Sequence, residues 1–147
     1  GGIGGLLCRY EPEAAISNRR CLYPLYDGTG NVLAWTNIAG VVVSATSYTA
    51  FGEVATQMGA AQPYSYSTKP FSSATGLSYF GARHYRPDLA RWLTLDPLGQ
   101  IDGPNVYQYV GNNPVNFVDP SGYKKRSFFR VCSFATADFA SSTIGSN

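Results

Sequence analysis

A hairpin signal that recurs at a fixed interval constrains this chain more than any other feature. Tyr26-Asp27-Gly28-Thr29-Gly30-Asn31-Val32 aligns with Tyr48-Thr49-Ala50-Phe51-Gly52-Glu53-Val54, 22 residues on (position 48 against 26), sharing Tyr, Gly and Val at matching places. Around these lie the runs C-L-Y-P-L-Y, V-L-A-W-T-N-I-A and V-V-V-S-A-T-S-Y, with a further turn at Ala39-Gly40. Apolar runs of this length bounded by Asp-Gly and Gly-Asn mark β-hairpins. One repeat unit is then about two strands and two turns. A single hairpin is marginal in water, so such units stack until they cover a shared apolar face. The expected fold is all-β, an array of antiparallel β-hairpins.

Composition agrees and narrows the function classes. Among 147 residues there are 16 Gly and 9 Pro, and aromatic residues are as frequent as charged ones at 14% each. That mixture suits short strands and tight turns rather than helices or a disordered linker. A net charge of +2 is too small to argue for nucleic acid or an acidic membrane as partner. The one basic run, Lys124-Lys125-Arg126 extended by Arg130, reads as a solvated boundary. Cys8, Cys21 and Cys132 lack paired C-x-x-C spacing and a single histidine cannot complete a zinc site, so neither metal nor cofactor is expected. Cys8 and Cys21 either pair in an oxidising compartment or remain thiols with Cys132. No window reaches the roughly 18 apolar residues of a membrane helix. The glycine-rich start, G-G-I-G-G-L-L, has no G-K-[ST] ending and reads as a tightly turned or flexible lead-in. Because the chain begins Gly1-Gly2-Ile3 without Met, it reads as part of a longer polypeptide.

After the repeats, Glu11 to Arg20 having been an exposed connection before them, Ala55 to Ser73 reads as a loop with one short strand at Pro63–Thr68. Leu77 to Tyr85 resumes a strand pattern, Arg86 to Ala90 turns, and Arg91 to Leu95 runs into Asp96. Asn105 to Val110 is either a strand or a turn and a half of helix, ended by Gly111-Asn112-Asn113-Pro114. Val115 to Val118 is a strand that delivers Asp119.

Two Asp-Pro-x-Gly units stand in this half, Asp96-Pro97-Leu98-Gly99 and Asp119-Pro120-Ser121-Gly122. Asp before Pro-x-Gly is an ordinary turn residue whose carboxylate bonds amides two residues on. Two such acids brought together are also the equipment for peptide hydrolysis, one activating water and the other assisting the carbonyl. His84, in strand register beside Tyr85, reads as a strand residue rather than a base. Trp35, Trp92 and the 11 tyrosines serve cross-strand packing or a sugar-binding surface, with packing the usual role.

The residues from Gly76 to Tyr123, G-L-S-Y-F-G-A-R-H-Y-R-P-D-L-A-R-W-L-T-L-D-P-L-G and then N-V-Y-Q-Y-V-G-N-N-P-V-N-F-V-D-P-S-G, resemble the RHS repeat-associated core domain of RHS/YD-repeat proteins. The upstream Y-D-G-T-G-N resembles the YD repeat itself. The resemblance implies a division into residues 1–75 (lead-in and hairpins), 76–123 (core, rich in turns) and 124–147 (a short, irregular, variable tail). It implies a shell segment that encapsulates a C-terminal toxin cargo, with upstream repeats and that cargo as partners, and carbohydrate or a secretion-system component left open. Secretion or surface display would follow from signals outside this stretch. The resemblance also implies an intramolecular aspartic autoprotease acting once, with Asp96 and Asp119 as the acids, Arg83 beside them, and a cut between Tyr123 and Lys124. Tyr123 stands where the family has Leu, Arg86 where Asp is common and Ala90 where a turn Gly is frequent. The tail from Lys124 matches nothing in the family, and its 24 residues are too few for an independent enzymatic domain.

Overall fold

A computed structural model describes residues 3–11 and 20–127. It is antiparallel β throughout, in three sheets. Strands β1 (Arg9–Glu11), β2 (Arg20–Tyr26), β3 (Val32–Thr36), β4 (Val42–Tyr48) and β5 (Val54–Gly59) form a five-stranded meander in sequence order. Strands β6 (Phe71–Ser72), β7 (Leu77–Tyr79), β8 (His84–Arg86) and β9 (Arg91–Trp92) form a second meander, and β10 (Phe117–Val118) pairs with β11 (Arg126–Ser127). The tail beyond Ser127, with Arg130 and Cys132, and the connection over residues 12–19 lie outside the described residues.

Three turns of one design build the first sheet. The amides of Asp27, Asn37 and Thr49 bond the carbonyls of Asn31, Val41 and Glu53 at 3.0, 3.0 and 2.8 Å. The first residue of each also caps its own loop. Asp27 Oδ1 accepts from the amides of Thr29 and Asn31, Asn37 Oδ1 from Ala39 and Val41, and Thr49 Oγ1 from Glu53. A glycine with positive φ, Gly30, Gly40 or Gly52, occupies the fourth place, and the strand register slips by one residue beside each turn. That is a hairpin loop closed by a left-handed residue and a bulge. The 22-residue repeat is therefore two such hairpins in succession.

Tyrosine hydroxyls lock successive units together. Tyr26 donates to the Leu6 carbonyl, Tyr48 to Val32, Tyr66 to Ala50 and Tyr85 to Phe51, at 2.6–3.0 Å. The rings of Tyr66, Tyr85 and Tyr109 then join Phe80 and Trp92 in one buried cluster, with centroids as close as 4.3 Å between Tyr85 and Tyr109. A smaller core of Leu22, Val32 and Trp35 lies under the first sheet. Both tryptophans are thus core residues, not a sugar platform.

Several local expectations differ from the structure. Pro63–Thr68 is not a strand. Only Tyr64 bridges to Pro70, and Tyr66–Thr68 is a 3₁₀ turn with Ser67 and Thr68 at positive φ. The earlier hairpin turn imposes this shape, because Asn31 Oδ1 accepts from the Ser67 amide (2.7 Å) and the Thr68 hydroxyl donates to the Gly30 carbonyl (2.7 Å). Val54–Gly59, expected to pass into loop at Ala55, is instead an edge strand whose six residues are all exposed, so it lacks the apolar alternation that reveals strands. Leu77 to Tyr85 breaks into two strands around a turn in which the Phe80 amide bonds the Arg83 carbonyl. Asn105 to Val110 is neither strand nor helix, since Asn105 Oδ1 caps a turn at Tyr107 and a 3₁₀ turn begins at Val110. Val115 and Asn116 belong to a turn capped by Asn113, leaving β10 two residues long. Cys8 and Cys21 are free thiols, and the register sets Tyr10 rather than Cys8 opposite Cys21.

Two measurements check this account. A Cβ at Gly52 would enter the Tyr66 ring, whereas one at Gly40 meets nothing within 4 Å, and both residues hold positive φ (+87° and +77°). Gly40→Ala should cost about 1–2 kcal/mol of backbone strain, and Gly52→Ala a further ~1–3 kcal/mol of overpacking, read by urea unfolding. Burial pushes the Tyr48 and Tyr66 hydroxyls up to about 12. Their neutral form is favoured on folding, so this stability is complete below the unfolded value of about 10 and is lost as pH rises toward 12. Tyrosinate absorbance should lag free tyrosine across that window and then appear together with unfolding.

Candidate functional site

The turn at Phe80–Arg83 aims one arginine into the protein. Arg83 is 3% exposed, and three polar contacts hold it. Nη1 lies 2.8 Å from Asp96 Oδ2, Nη2 lies 3.4 Å from Asp119 Oδ2, and Nε donates to the Gly122 carbonyl at 2.6 Å. The guanidinium carbon sits 4.2 Å from the centre of the Trp92 ring, which supplies a flat face for the cation. Only a planar fork with separated N–H donors can meet two acids and a carbonyl at once, and a lysine cannot reproduce it.

Both Asp-Pro-x-Gly units form the turns their sequence dictates. Asp96 Oδ1 accepts from the Leu98 amide (2.8 Å), and Asp119 Oδ1 accepts from the amides of Ser121 (3.1 Å) and Gly122 (2.8 Å). Each carboxylate thus spends one oxygen on its own turn and the other on Arg83. Both acids therefore cap their own turns, and the second oxygen of each faces Arg83. The side chains are 7% and 2% exposed, so removing either from water is costly unless it is paired. Arg83 stands between the acids, so they meet through its guanidinium.

The structure brings Arg83, Asp96 and Asp119 together across 36 residues of chain, and places Tyr123 and Lys124 immediately after the held turn. Tyr123 is 46% exposed and Lys124 is also exposed. The chain then returns along β10, with the Lys125 ammonium 5.9 Å from the centre of the Phe117 ring. His84 is exposed, its ring 5.0 Å from Tyr79, and is not among the groups that contact the acids. Among the described residues no group of three His, Cys, Asp or Glu is placed to hold a metal, and no helix is long and apolar enough to cross a membrane.

One site residue escaped the sequence reading. Lys69 is 9% exposed, and its ammonium donates to the Pro120 carbonyl at 2.6 Å while lying 5.4 Å from the centre of the Phe80 ring. Burial lowers its pKa and the nearby Asp119 charge raises it. A lone lysine in a polar loop carries no sequence signal; a sheltered position shows only once the loop is folded.

No family model matches the chain. It is 40% identical over 105 residues to the toxin subunit YenC1 of Yersinia entomophaga, covering 67% of this chain and 11% of that protein. It is 41% identical over 93 residues to the double-stranded DNA deaminase toxin A of Burkholderia cenocepacia, covering 59% and 6%. The crystal structure of TcdB2-TccC3 superposes with a TM-score of 0.73 at 33% identity, covering 83% of this chain and 6% of that one. The chain spans about a tenth of the length of such curated relatives.

Replacing Arg83 by Met should leave two carboxylates buried without their cation. The expected loss is about 3–5 kcal/mol by urea unfolding, and a loss below about 1 kcal/mol would contradict the pairing described here.

Proposed function

Because the chain belongs to the RHS/YD-repeat proteins, we propose that it is the C-terminal segment of a shell that encloses a toxin cargo and that cuts its own backbone once, between Tyr123 and Lys124. The relatives support the first half. The names of relatives sharing this segment differ, a double-stranded DNA deaminase toxin in one case and a tRNA nuclease in another, which supports reading the shared part as the carrier of a toxic part that lies elsewhere. The upstream repeats of the same polypeptide and the cargo are its partners, and export depends on signals outside this stretch.

The observation that carries the second half is the buried junction of Arg83, Asp96 and Asp119 with the Gly122 carbonyl, one residue before Tyr123. The reaction adds one water across the Tyr123–Lys124 amide. A carboxylate takes a proton from the water as its oxygen bonds to the Tyr123 carbonyl carbon. The C–N bond then breaks and the Lys124 nitrogen receives the proton of the other acid, which enters the reaction in its protonated form and leaves it as a carboxylate. The bond is tethered only four residues beyond Asp119, which gives the attack the advantage of an intramolecular substrate (119 against 123). Tyr123, which stands in place of Leu, is half exposed.

Intact-mass spectrometry of the parent polypeptide tests this. A fragment ending at Tyr123 is expected, absent from Asp96→Asn and Asp119→Asn. Full-length mass in the unaltered protein would refute the cut while leaving the shell role standing.

A further inference from the structure

The turn from Asp119 to Gly122 is held on every side by groups from elsewhere in the chain. The Ser121 carbonyl accepts from the Ala82 amide at 3.0 Å and the Gly122 carbonyl accepts from Arg83 Nε at 2.6 Å. Both of those donors come from the same turn, at the C-terminal end of the held loop. At its N-terminal end the Pro120 carbonyl accepts from the Lys69 ammonium at 2.6 Å, supplied by a different segment, the one that follows the Tyr66–Thr68 turn. Lys69 is itself fixed, since the Lys69 amide bonds the Tyr66 carbonyl and the Ser65 amide bonds the Lys69 carbonyl.

Charge gives the lysine a second effect. One guanidinium faces two carboxylates, so Arg83, Asp96 and Asp119 together leave an excess of one negative charge in a buried place when both acids are ionised. The Lys69 ammonium adds a positive charge near Asp119. A charge-assisted bond to a backbone carbonyl is also stronger than a neutral one.

We infer that Lys69 is a positioning residue for the self-cleavage: by gripping the Pro120 carbonyl it fixes the turn that carries Asp119 and so sets where the Tyr123 carbonyl stands relative to the acids. Lys69 touches neither the scissile bond nor the water; it acts through the turn. The inference rests on the cut proposed above, and the test separates the two.

The test compares Lys69→Met and Lys69→Arg with the unaltered parent polypeptide by two readouts. Amide hydrogen exchange of Ser121 and Gly122, measured in the uncleaved Asp96→Asn background, which leaves the Asp119 cap on those amides in place, as well as in the native one, should quicken about tenfold in Lys69→Met and little in Lys69→Arg, while amides of the five-stranded sheet are unchanged. The cleavage rate by intact mass should fall about tenfold or more in Lys69→Met and recover in Lys69→Arg. Unchanged exchange at Ser121 and Gly122 overturns the grip. Quickened exchange with an unchanged cleavage rate overturns the link to the reaction, as does loss of cleavage in both variants with exchange quickened throughout the sheet. If the unaltered protein is never cut, the cleavage reading has failed and with it the role in cleavage, whereas the exchange arm still decides whether Lys69 holds the turn.

Discussion

A single buried guanidinium sets the geometry of this protein's C-terminal half. Arg83 reaches Asp96 with one nitrogen, Asp119 with another and the Gly122 carbonyl with a third, while its guanidinium carbon lies over the Trp92 ring. Two acids that each cap a tight turn would otherwise have no reason to share a site. The cation makes their proximity favourable and turns two independent loops into one junction. The aromatic cluster gains as well, because Trp92 is both a wall of that core and the platform for the arginine.

The hairpin scaffold delivers the parts. Each five-residue turn is closed by its own Asp, Asn or Thr and carries a left-handed glycine in its fourth place, and each unit is tied to an earlier one by a tyrosine hydroxyl. Ring packing continues from Tyr48 through Tyr66 and Tyr85 to Tyr109, which leads from the first sheet to the floor of the junction. Local turn chemistry thus becomes long-range order through a polar atom at the tip of an apolar ring.

Much of this was legible in the residues. The all-β class followed from glycine-punctuated apolar runs, and the matched heptapeptides at Tyr26 and Tyr48 are equivalent turns in the fold. The strand over Val54–Gly59 was obscured because every one of its side chains faces solvent, so no alternation marks it. The opposite error at Pro63–Thr68 arose from contacts made by Asn31 and Gly30, more than thirty residues away, which no local pattern encodes. Arg83, Asp96 and Asp119 were named from a resemblance, and the turn-forming grammar of Asp-Pro-x-Gly alone would have left them as caps. Lys69 was invisible because its sheltered place depends on how two loops meet.

The account turns on Asp96 and Asp119 acting on one arginine rather than as two separate caps. A double-mutant cycle on unfolding free energy with Asp96→Asn and Asp119→Asn measures that directly. Shared pairing predicts a coupling energy of about 1–3 kcal/mol, whereas additivity within about 0.5 kcal/mol would show two independent turns and contradict it.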